Sequence, residues 1–268
     1  MKALALDLDG TLTNSQKKIT PRTCKAVMAS AEKGISIILA SGRPVLGIKP
    51  IALELGLYDK GGYILAYNGG RIIDCTSNKV IYEKLLPMRY YPAVCQTARE
   101  LGLHALTYDS EGVLAESDTA PYVKKEAYNN SIPIRVTDCL EKAVSGEVVK
   151  FMIVGESELI SKAAQELKIR TNGEINVFLS EPYFMEITAL GIEKASALAH
   201  LAKYLKIEKD EICAIGDGLN DKSMLEYAGL AVAMGNAYEE IKELADYITD
   251  NNDNDGVAVF IESWLNLC

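Results

Sequence analysis

Short apolar runs that give way to polar residues recur along the first third of the chain. Residues 4–8, 35–40 and 63–67 are mainly apolar, and each run is followed directly by Asp, Ser or Asn. Helical patterns lie between them, and the first begins at Thr20-Pro21, a capping hydroxyl followed by a proline suited to the first helical position. Buried strands that alternate with helices predict βα units and a parallel sheet.

The pattern changes in the middle of the chain. From residue 71 to residue 86, two β-rich runs flank Thr76-Ser77-Asn78, which predicts a hairpin. Residues 87–187 then mix short strands and helices without the earlier alternation, and the βα pattern resumes from residue 192 to a last helix that ends near Leu267.

These changes predict an α/β protein with two domains. The first is a doubly wound, Rossmann-like parallel sheet core built from residues 1–86 and 188–268. The second is an inserted α+β cap domain at residues 87–187, to which we attribute selection of the substrate. No candidate chemical residue with a clear signal falls inside the insert.

Carboxylates stand where predicted strands end. Asp7 and Asp9 close the first strand and are two positions apart, so an extended chain places both side chains on one face. Far along the sequence, the strand at residues 212–215 ends at Gly216-Asp217-Gly218. Ligands of open α/β sheets bind at the carboxyl ends of the strands, so we expect folding to bring these acids into one crevice.

Such a group of acids predicts a cation site. Two carboxylates held a few Å apart repel by roughly 4 kcal/mol at an effective dielectric near 20, so the pair requires a proton or a cation. Mg²⁺ prefers oxygen ligands and usually takes one or two carboxylates. Asp7, Asp217 and the backbone carbonyl of Asp9 suit such a site, although Asp-x-Asp and Gly-Asp-Gly are also ordinary turn sequences.

Other residues at predicted strand and helix ends suit an anion. Ser41 and Gly42 offer a hydroxyl and a backbone N–H at a helix start, which fits phosphate oxygens, although in isolation such a pair is more often a cap or turn. Lys194 opens the helix after the insert, where the helix dipole does not favour a cation, and this placement indicates a function. Arg43 and Asn68 end strands that face the same crevice.

Composition narrows the class of protein. The net charge is −9 without a Lys/Arg cluster, which argues against nucleic acid or an anionic membrane as partner. No apolar run is long enough to span a membrane and no basic-then-apolar leader is visible, so we expect a cytoplasmic protein. The six cysteines show no C-x-x-C spacing, which argues against a zinc site or a disulfide framework.

The motifs, taken in chain order, resemble those of the Cof-type sugar-phosphate phosphatases, the type IIB branch of the haloacid dehalogenase superfamily. They are Asp-Leu-Asp-Gly-Thr-Leu from Asp7, Ala-Ser-Gly-Arg from Ala40, Asn68-Gly69, Gly-Ile-Glu-Lys ending at Lys194, and Gly-Asp-Gly-Leu-Asn-Asp from Gly216. The likeness covers the whole core, including residues 234–237 and 245–258, whereas the insert matches in position and size only. Ala195 departs from the pattern, because these relatives usually have Gly there.

The resemblance implies a Mg²⁺-dependent phosphatase that hydrolyses small phosphate monoesters, especially sugar phosphates, through an aspartyl phosphate. Asp7 becomes the nucleophile and Asp9 the general acid and base, and magnesium is assigned to Asp7, Asp9 and Asp217. Phosphate binding is assigned to Leu8 through its backbone N–H, Ser41, Gly42, Lys194 and Asn220. Supporting or substrate-contacting roles are assigned to Thr11, Arg43, Asn68 and Asp221, with Asp221 orienting Lys194 or a metal-bound water.

Two other functions stay open at this stage. A hexose phosphomutase shares the core and a similar cap, and a non-catalytic sugar-phosphate sensor would keep the crevice. Intact Asp7, Asp9, Lys194 and Asp217 disfavour the sensor. In every case the partner is a small phosphate ester, and the insert offers candidate contacts that can equally be packing or surface residues: Tyr108, Tyr122, Glu181 and Tyr183.

Overall fold

The structure, a computed structural model, describes residues 1–265 and divides into two compact units. The first unit combines residues 1–82 with the chain from residue 193 onward, and the second is Glu83–Ile192. The second unit extends beyond residues 87–187 at both ends. One reason is that the Leu86 N–H donates to the Val148 carbonyl at 2.7 Å, which ties Leu86 to the insert.

The first unit contains eight strands within the described residues. They are β1 Ala3–Leu6, β2 Ser36–Ala40, β3 Tyr63–Ala66, β4 Arg71–Asp74, β5 Lys79–Glu83, β12 Ile212–Gly216, β13 Leu230–Ala233 and β14 Tyr247–Ile248. They form one sheet in the order β14-β13-β12-β1-β2-β3-β4-β5. The two halves of the chain therefore build a single sheet, as the doubly wound prediction required.

Helices surround this sheet. They are α1 Pro21–Glu32, α2 Val45–Glu54, α3 Leu57–Lys60, α8 Lys194–Leu205, α9 Lys222–Tyr227, α10 Glu239–Leu244 and α11 Gly256–Leu265. Thr20 caps α1 by accepting the Thr23 N–H, as its sequence predicts. The predicted end of the last helix near Leu267 lies outside the described residues. Within residues 1–265, no helix has both the length and the apolar character that crossing a membrane demands.

Strand β1 is the centre of the first unit. It pairs in parallel with β2 and β12, and all four of its residues are fully buried. Two details differ from the sequence prediction. The sheet is parallel except at one edge, where β4 runs antiparallel to β3 because the four residues that join them are too few for a parallel crossover. The adjacent β5 completes the predicted hairpin. Strand β1 also ends at Leu6, before the predicted residue 8, because the carbonyls of Asp7 and Leu8 accept the N–H groups of Leu12 and Thr13 in the following turn.

The second unit is built on its own sheet. Its strands are β6 His104–Tyr108, β7 Val113–Ala115, β8 Ile134–Val136, β9 Lys150–Val154, β10 Ile175–Glu181 and β11 Phe184–Ala189, and its helices are α4 Tyr91–Glu100, α5 Pro121–Asn130, α6 Leu140–Ala143 and α7 Ser157–Arg170. The strand order is β10-β11-β9-β6-β7-β8. Strand β8 and helix α6 were not predicted, because three or four residues carry too little periodic pattern to be recognised.

Candidate active site

The predicted site residues lie just beyond the carboxyl ends of neighbouring parallel strands. Asp7 follows β1, Ser41 follows β2 and Asp217 follows β12. Strand β1 lies between the other two, with Leu6 opposite Leu39 of β2. The register of the sheet therefore brings these three residues to the same edge.

Lys194 is the centre of the polar cluster at this edge. It is the first residue of α8, and its side chain is completely buried. Its Nζ lies 2.6 Å from Asp7 Oδ1 and 2.5 Å from Asp221 Oδ1, and it donates to the Ala40 carbonyl at 2.8 Å. Three acceptors thus satisfy all three donors of the ammonium group.

Burial and charge act against each other in this cluster. Burial raises the pKa of Asp7 well above its ordinary value; Asp221 adds to this rise and Lys194 opposes it. Burial disfavours the charged form of Lys194, but Asp221 and Asp7 together hold its pKa above the ordinary value. Burial also raises the pKa of Asp217 to about 6. The ammonium contacts two of the three clustered carboxylates, and the excess negative charge of the cluster favours a proton or a cation.

The donor set fits a magnesium ion. One oxygen each from Asp7, Asp217 and Asp221 lie within 4.8 Å of one another, and all three are the hard ligands that Mg²⁺ prefers. Asp217 is oriented by Thr11, whose Oγ1 donates to Asp217 Oδ1 at 2.8 Å. Asp221 Oδ2 accepts the backbone N–H groups of Asp217 and Gly218 at 3.0 and 2.9 Å, which fixes the loop after β12.

Gly10 allows the first and last motifs to approach each other. Its φ of +85° belongs to the left-handed region, which glycine adopts without strain. A Cβ atom at this position would lie 2.3 Å from Asp217 Oδ2. Glycine is therefore required here both for the turn and for the position of Asp217.

Asp9 lies outside the carboxylate cluster. Its carboxylate accepts hydrogen bonds from Arg43, from Nε at 2.7 Å and from Nη2, and its side chain is 45% exposed. The predicted metal ligand of Asp9 is its backbone carbonyl, so the contact of its carboxylate with Arg43 does not affect that prediction. This pairing gives Arg43 a definite partner, which the sequence did not.

The remaining phosphate-binding candidates have local partners. Ser41 is buried, and its Oγ accepts the Arg43 N–H at 3.2 Å, which is the turn contact that the sequence left as the alternative. Asn68 Oδ1 accepts from Asn220 Nδ2 at 3.4 Å. A Cβ on Gly42 would lie 3.0 Å from Asn68 Nδ2, so these side chains gather at one place.

Leu8 lies between the two acids of the first motif and is fully buried. Its carbonyl accepts the Thr13 N–H and the Thr13 hydroxyl, both at 2.9 Å. These bonds fix the turn that follows β1.

Asn236 also lies at the site, although it was not among the site residues predicted from the sequence. Its Nδ2 donates to the Gly10 carbonyl at 2.8 Å and lies 3.4 Å from Asp217 Oδ2, so it links the two acidic loops. A signal was present, because Asn236 is the first polar side chain after strand β13. Asp221, predicted to orient Lys194 or a metal-bound water, accepts a hydrogen bond from Lys194 and lies in the same carboxylate cluster as Asp7 and Asp217.

The four candidate contacts in the second unit differ in their surroundings. Tyr108 is buried and donates to Glu126 at 2.6 Å. Tyr122 and Tyr183 are half-buried and stack with their ring centroids 5.4 Å apart, and Glu181 is exposed at the end of β10. Tyr108 is therefore part of an internal network, whereas the other three lie at or near the surface.

Comparisons with known proteins identify the family. A family model described as haloacid dehalogenase-like hydrolase matches residues 4–261. The 5-amino-6-(5-phospho-D-ribitylamino)uracil phosphatase of Bacillus subtilis is 32% identical over 265 residues, which cover 99% of this chain and 96% of that protein. These matches span almost the whole chain.

Solved structures agree with this assignment. A haloacid dehalogenase-like hydrolase from Bacteroides thetaiotaomicron superposes with a TM-score of 0.96 at 46% identity, covering 98% of this chain and 99% of that one. A subclass IIB sugar phosphatase of the same superfamily gives a TM-score of 0.83 at 26% identity, with both chains fully covered. The resemblance drawn from the motifs is thus confirmed, and the chain belongs to the haloacid dehalogenase-like hydrolases.

Proposed function

We propose that this hydrolase is a Mg²⁺-dependent phosphatase that cleaves small phosphate monoesters, with sugar phosphates as the principal class, through an aspartyl phosphate on Asp7. The observation that carries the proposal is the buried Asp7 carboxylate, held by Lys194 within a group of three carboxylates at the end of β1. The phosphatase named among the relatives, and the sugar phosphatase of similar fold, support the same reaction class.

Asp7 performs the first step. Lys194 binds Oδ1, so Oδ2 is the oxygen that we assign to in-line attack on phosphorus. The new bond joins Oδ2 to phosphorus as the ester bond breaks, and the alcohol leaves. Positioning and charge neutralisation supply most of the rate in phosphoryl transfer, and we assign these tasks to the groups predicted from sequence. They are the Leu8 backbone N–H, Ser41, Gly42, Lys194 and Asn220.

We assign both proton transfers to Asp9. As an acid it protonates the leaving oxygen, and as a base it then takes a proton from the water that hydrolyses the aspartyl phosphate. Its half-exposed carboxylate is close enough in sequence to Asp7 to reach the same substrate, but Arg43 holds it in this structure. During turnover the Asp9 carboxylate must therefore break its hydrogen bonds with Arg43 and contact the leaving oxygen of the substrate instead.

Magnesium would be held by Asp7, Asp217 and the Asp9 backbone carbonyl, with Asp221 fixing the loop that carries Asp217. When bound, the ion supplies positive charge to the phosphoryl oxygens. Lys194 balances part of the carboxylate charge before the ion binds, and it keeps Asp7 oriented.

Substrate selection is assigned to the inserted cap, residues 87–187, and the chemistry to the core, residues 1–86 and 188–268. Every residue given a chemical role above belongs to the core. The cap has its own sheet and its own hydrophobic core, which suits a unit that varies independently of the catalytic residues.

A panel of phosphate esters tests the proposal. Hexose, pentose and tetrose phosphates, glycerol phosphates and acetyl phosphate are each incubated with enzyme and Mg²⁺, and inorganic phosphate is measured with and without chelator. We expect phosphate release that chelation abolishes and Mg²⁺ restores. A hexose 1-phosphate with a trace of hexose bisphosphate separates the mutase, since rapid isomer formation without phosphate release would contradict the proposal, as would binding without any turnover.

A further inference from the structure

The edges of the two sheets differ in how well they are protected against pairing with another chain. Within residues 1–265 the edge strands are β14 and β5 in the first unit and β10 and β8 in the second. An edge strand presents unpaired backbone N–H and C=O groups, so proteins usually shorten, bulge or cover it. Strand β14 has two residues, β8 has three, and β10 has a register shift between Leu179 and Glu181.

Strand β5 is neither short nor interrupted. It comprises the five residues Lys79–Glu83, an ordinary strand length, and contains no proline or glycine. Its charged residues stand only at the two ends, and the apolar side chain of Val80 between them is 48% exposed. The strand is therefore long enough to pair with another strand, and it carries exposed apolar surface that such pairing would cover.

The sequence of β5, Lys-Val-Ile-Tyr-Glu, is complementary to itself. When two copies pair antiparallel with Ile81 on the two-fold axis, Lys79 of each copy faces the partner's Glu83. Val80 then faces the partner's Tyr82, and the two Ile81 side chains lie side by side. Opposite charges, and β-branched residues facing aromatic ones, are among the cross-strand pairs that stabilise antiparallel sheets.

The charged ends select this one arrangement. A shift of the register separates Lys79 from the partner's Glu83, and a parallel pairing of the same strands would set like charges side by side. Antiparallel pairing about one axis also uses the same surface on both copies, which closes the assembly at a dimer.

Tyr82 is already held in place for such pairing. Its ring stacks on His200 of α8, with the ring centroids 4.2 Å apart and the planes inclined by 20°. A side chain that is fixed before association loses little conformational freedom when the partner binds.

We infer that two copies of this chain associate through β5, pairing antiparallel about Ile81 and joining their core sheets into one continuous sheet. The partner is a second copy of the chain, because each side chain of β5 finds its complement on the same strand. This inference goes beyond the proposed function, and it holds whether or not the chain hydrolyses phosphate esters.

Sedimentation equilibrium over a series of protein concentrations tests the association. We expect the weight-average mass of wild type to rise towards twice the mass of one chain as the concentration increases. A mass that stays at that of one chain up to about 1 mM would contradict the inference.

Charge reversal at the ends of β5 tests the register. Lys79→Glu places glutamates opposite each other on both sides of the axis, and Glu83→Lys places lysines there. Each variant alone should weaken self-association at least about tenfold. Lys25→Glu makes the same charge change at an exposed position on α1 and should leave the association unchanged. Thermal unfolding verifies that each variant is folded.

Mixing the two reversed variants supplies the decisive comparison. When Lys79→Glu meets Glu83→Lys, every charged pair across the axis is again of opposite sign, so the mixture should associate within about threefold of the wild-type affinity. A mixture that associates no better than either variant alone would refute the pairing of Lys79 with Glu83.

Ile81→Cys locates the axis. Facing residues of an antiparallel pair have Cα atoms about 4.5–5.5 Å apart, which is within the range that a disulfide spans. Mild oxidation should therefore link two copies of Ile81→Cys covalently, and wild type with its six cysteines is the control. A yield of covalent dimer no higher than that of wild type would show that Ile81 does not lie on the axis.

Discussion

The ammonium group of Lys194 lies 2.6 Å from Oδ1 of Asp7, a residue 187 positions earlier in the chain. Lys194 opens the first helix after the inserted unit, and Asp7 is the first residue beyond the central strand of the core sheet. One buried ion pair thus fixes the helix start to the strand end and orients the carboxylate that we assign as nucleophile.

Removing the ammonium should destabilise the core. Lys194→Met leaves Asp7 and Asp221 buried without their counter-charge, and breaking a buried ion pair in this way typically costs about 3–5 kcal/mol. We also expect at least about a hundredfold loss of kcat, because Asp7 loses its orientation. Urea unfolding measures the change in the free energy of unfolding, and the fluorescence of Trp264, the one tryptophan in the sequence, reports the transition.

Lys203→Met is the control for this variant, since Lys203 is exposed on the same helix. Its unfolding free energy should stay within about 0.5 kcal/mol of wild type. If both variants had the same free energy of unfolding, the buried ion pair of Lys194 would contribute no more to stability than the exposed side chain of Lys203.

A pair of glycine variants isolates the contact between Gly10 and Asp217. Gly10 and Gly34 have nearly the same φ, +85° and +84°, so alanine at either position costs about 1–2 kcal/mol of backbone strain. Only at Gly10 would the new Cβ meet Asp217, at 2.3 Å, whereas nothing lies within 4 Å at Gly34.

We therefore expect Gly10→Ala to weaken Mg²⁺ binding at least tenfold, about 1.4 kcal/mol, and Gly34→Ala to leave it unchanged. Isothermal titration with MgCl₂ measures both affinities directly. If the two variants bound Mg²⁺ with the same affinity, the assignment of Asp217 as a metal ligand would be wrong.

Asp7→Asn should abolish turnover while the protein stays folded. The amide is a poor nucleophile, so we expect kcat to fall by more than about a thousandfold. The substitution also removes one of three clustered carboxylates, which relieves repulsion and offsets the weaker contact with Lys194. Phosphate release and thermal unfolding are measured together, and hydrolysis at the wild-type rate would refute the assignment of Asp7.

Low pH should lower the stability of the second unit, because it protonates Glu141. Hydrogen bonds from Arg99 lower the pKa of Glu141 to about 2, below the value near 4.3 of an unfolded chain. A lowered carboxyl pKa stabilises the fold above the unfolded pKa, and this contribution is lost as pH falls from about 5 towards 2. Because Arg99 is 45% exposed, screening reduces the contribution to about 1 kcal/mol.

The check compares wild type with Glu141→Gln by urea unfolding from pH 7 to pH 3. Wild type should be the more stable at pH 7, and the difference should shrink steadily below pH 5. A difference that stays constant over this range would mean that the Arg99 contact does not depend on the charge of Glu141.

The pattern of apolar and polar residues was enough to predict where the central strands end. Asp7, Ser41 and Asp217 each follow an apolar run, and the pairing of parallel strands then brings them to one edge without further information. The same rule, applied to β13, would have found Asn236. The centre of the core sheet was predictable for this reason, because β1, β2 and β12 are buried almost throughout and stand out as apolar runs.

Features that depend on distant partners were not predictable. The complete burial of Lys194 follows from acceptors on three other segments, and nothing in residues 191–194 indicates it. The pairing of Arg43 with Asp9 likewise depends on which rotamers the packed loops allow. Short elements such as β8 are set by neighbouring strands rather than by their own three residues.

The central claim is a covalent intermediate on Asp7, and chemical trapping tests it most directly. Enzyme and Mg²⁺ are mixed with the best substrate of the panel, quenched within one turnover and treated with borohydride, which reduces an acyl phosphate to the alcohol. Asp9→Asn is run in parallel, because slower hydrolysis of the intermediate should increase its yield. We predict homoserine at position 7 by peptide mass spectrometry; reduction at another residue, or an unmodified Asp7 in both proteins while the ester bond is being cleaved, would contradict the account.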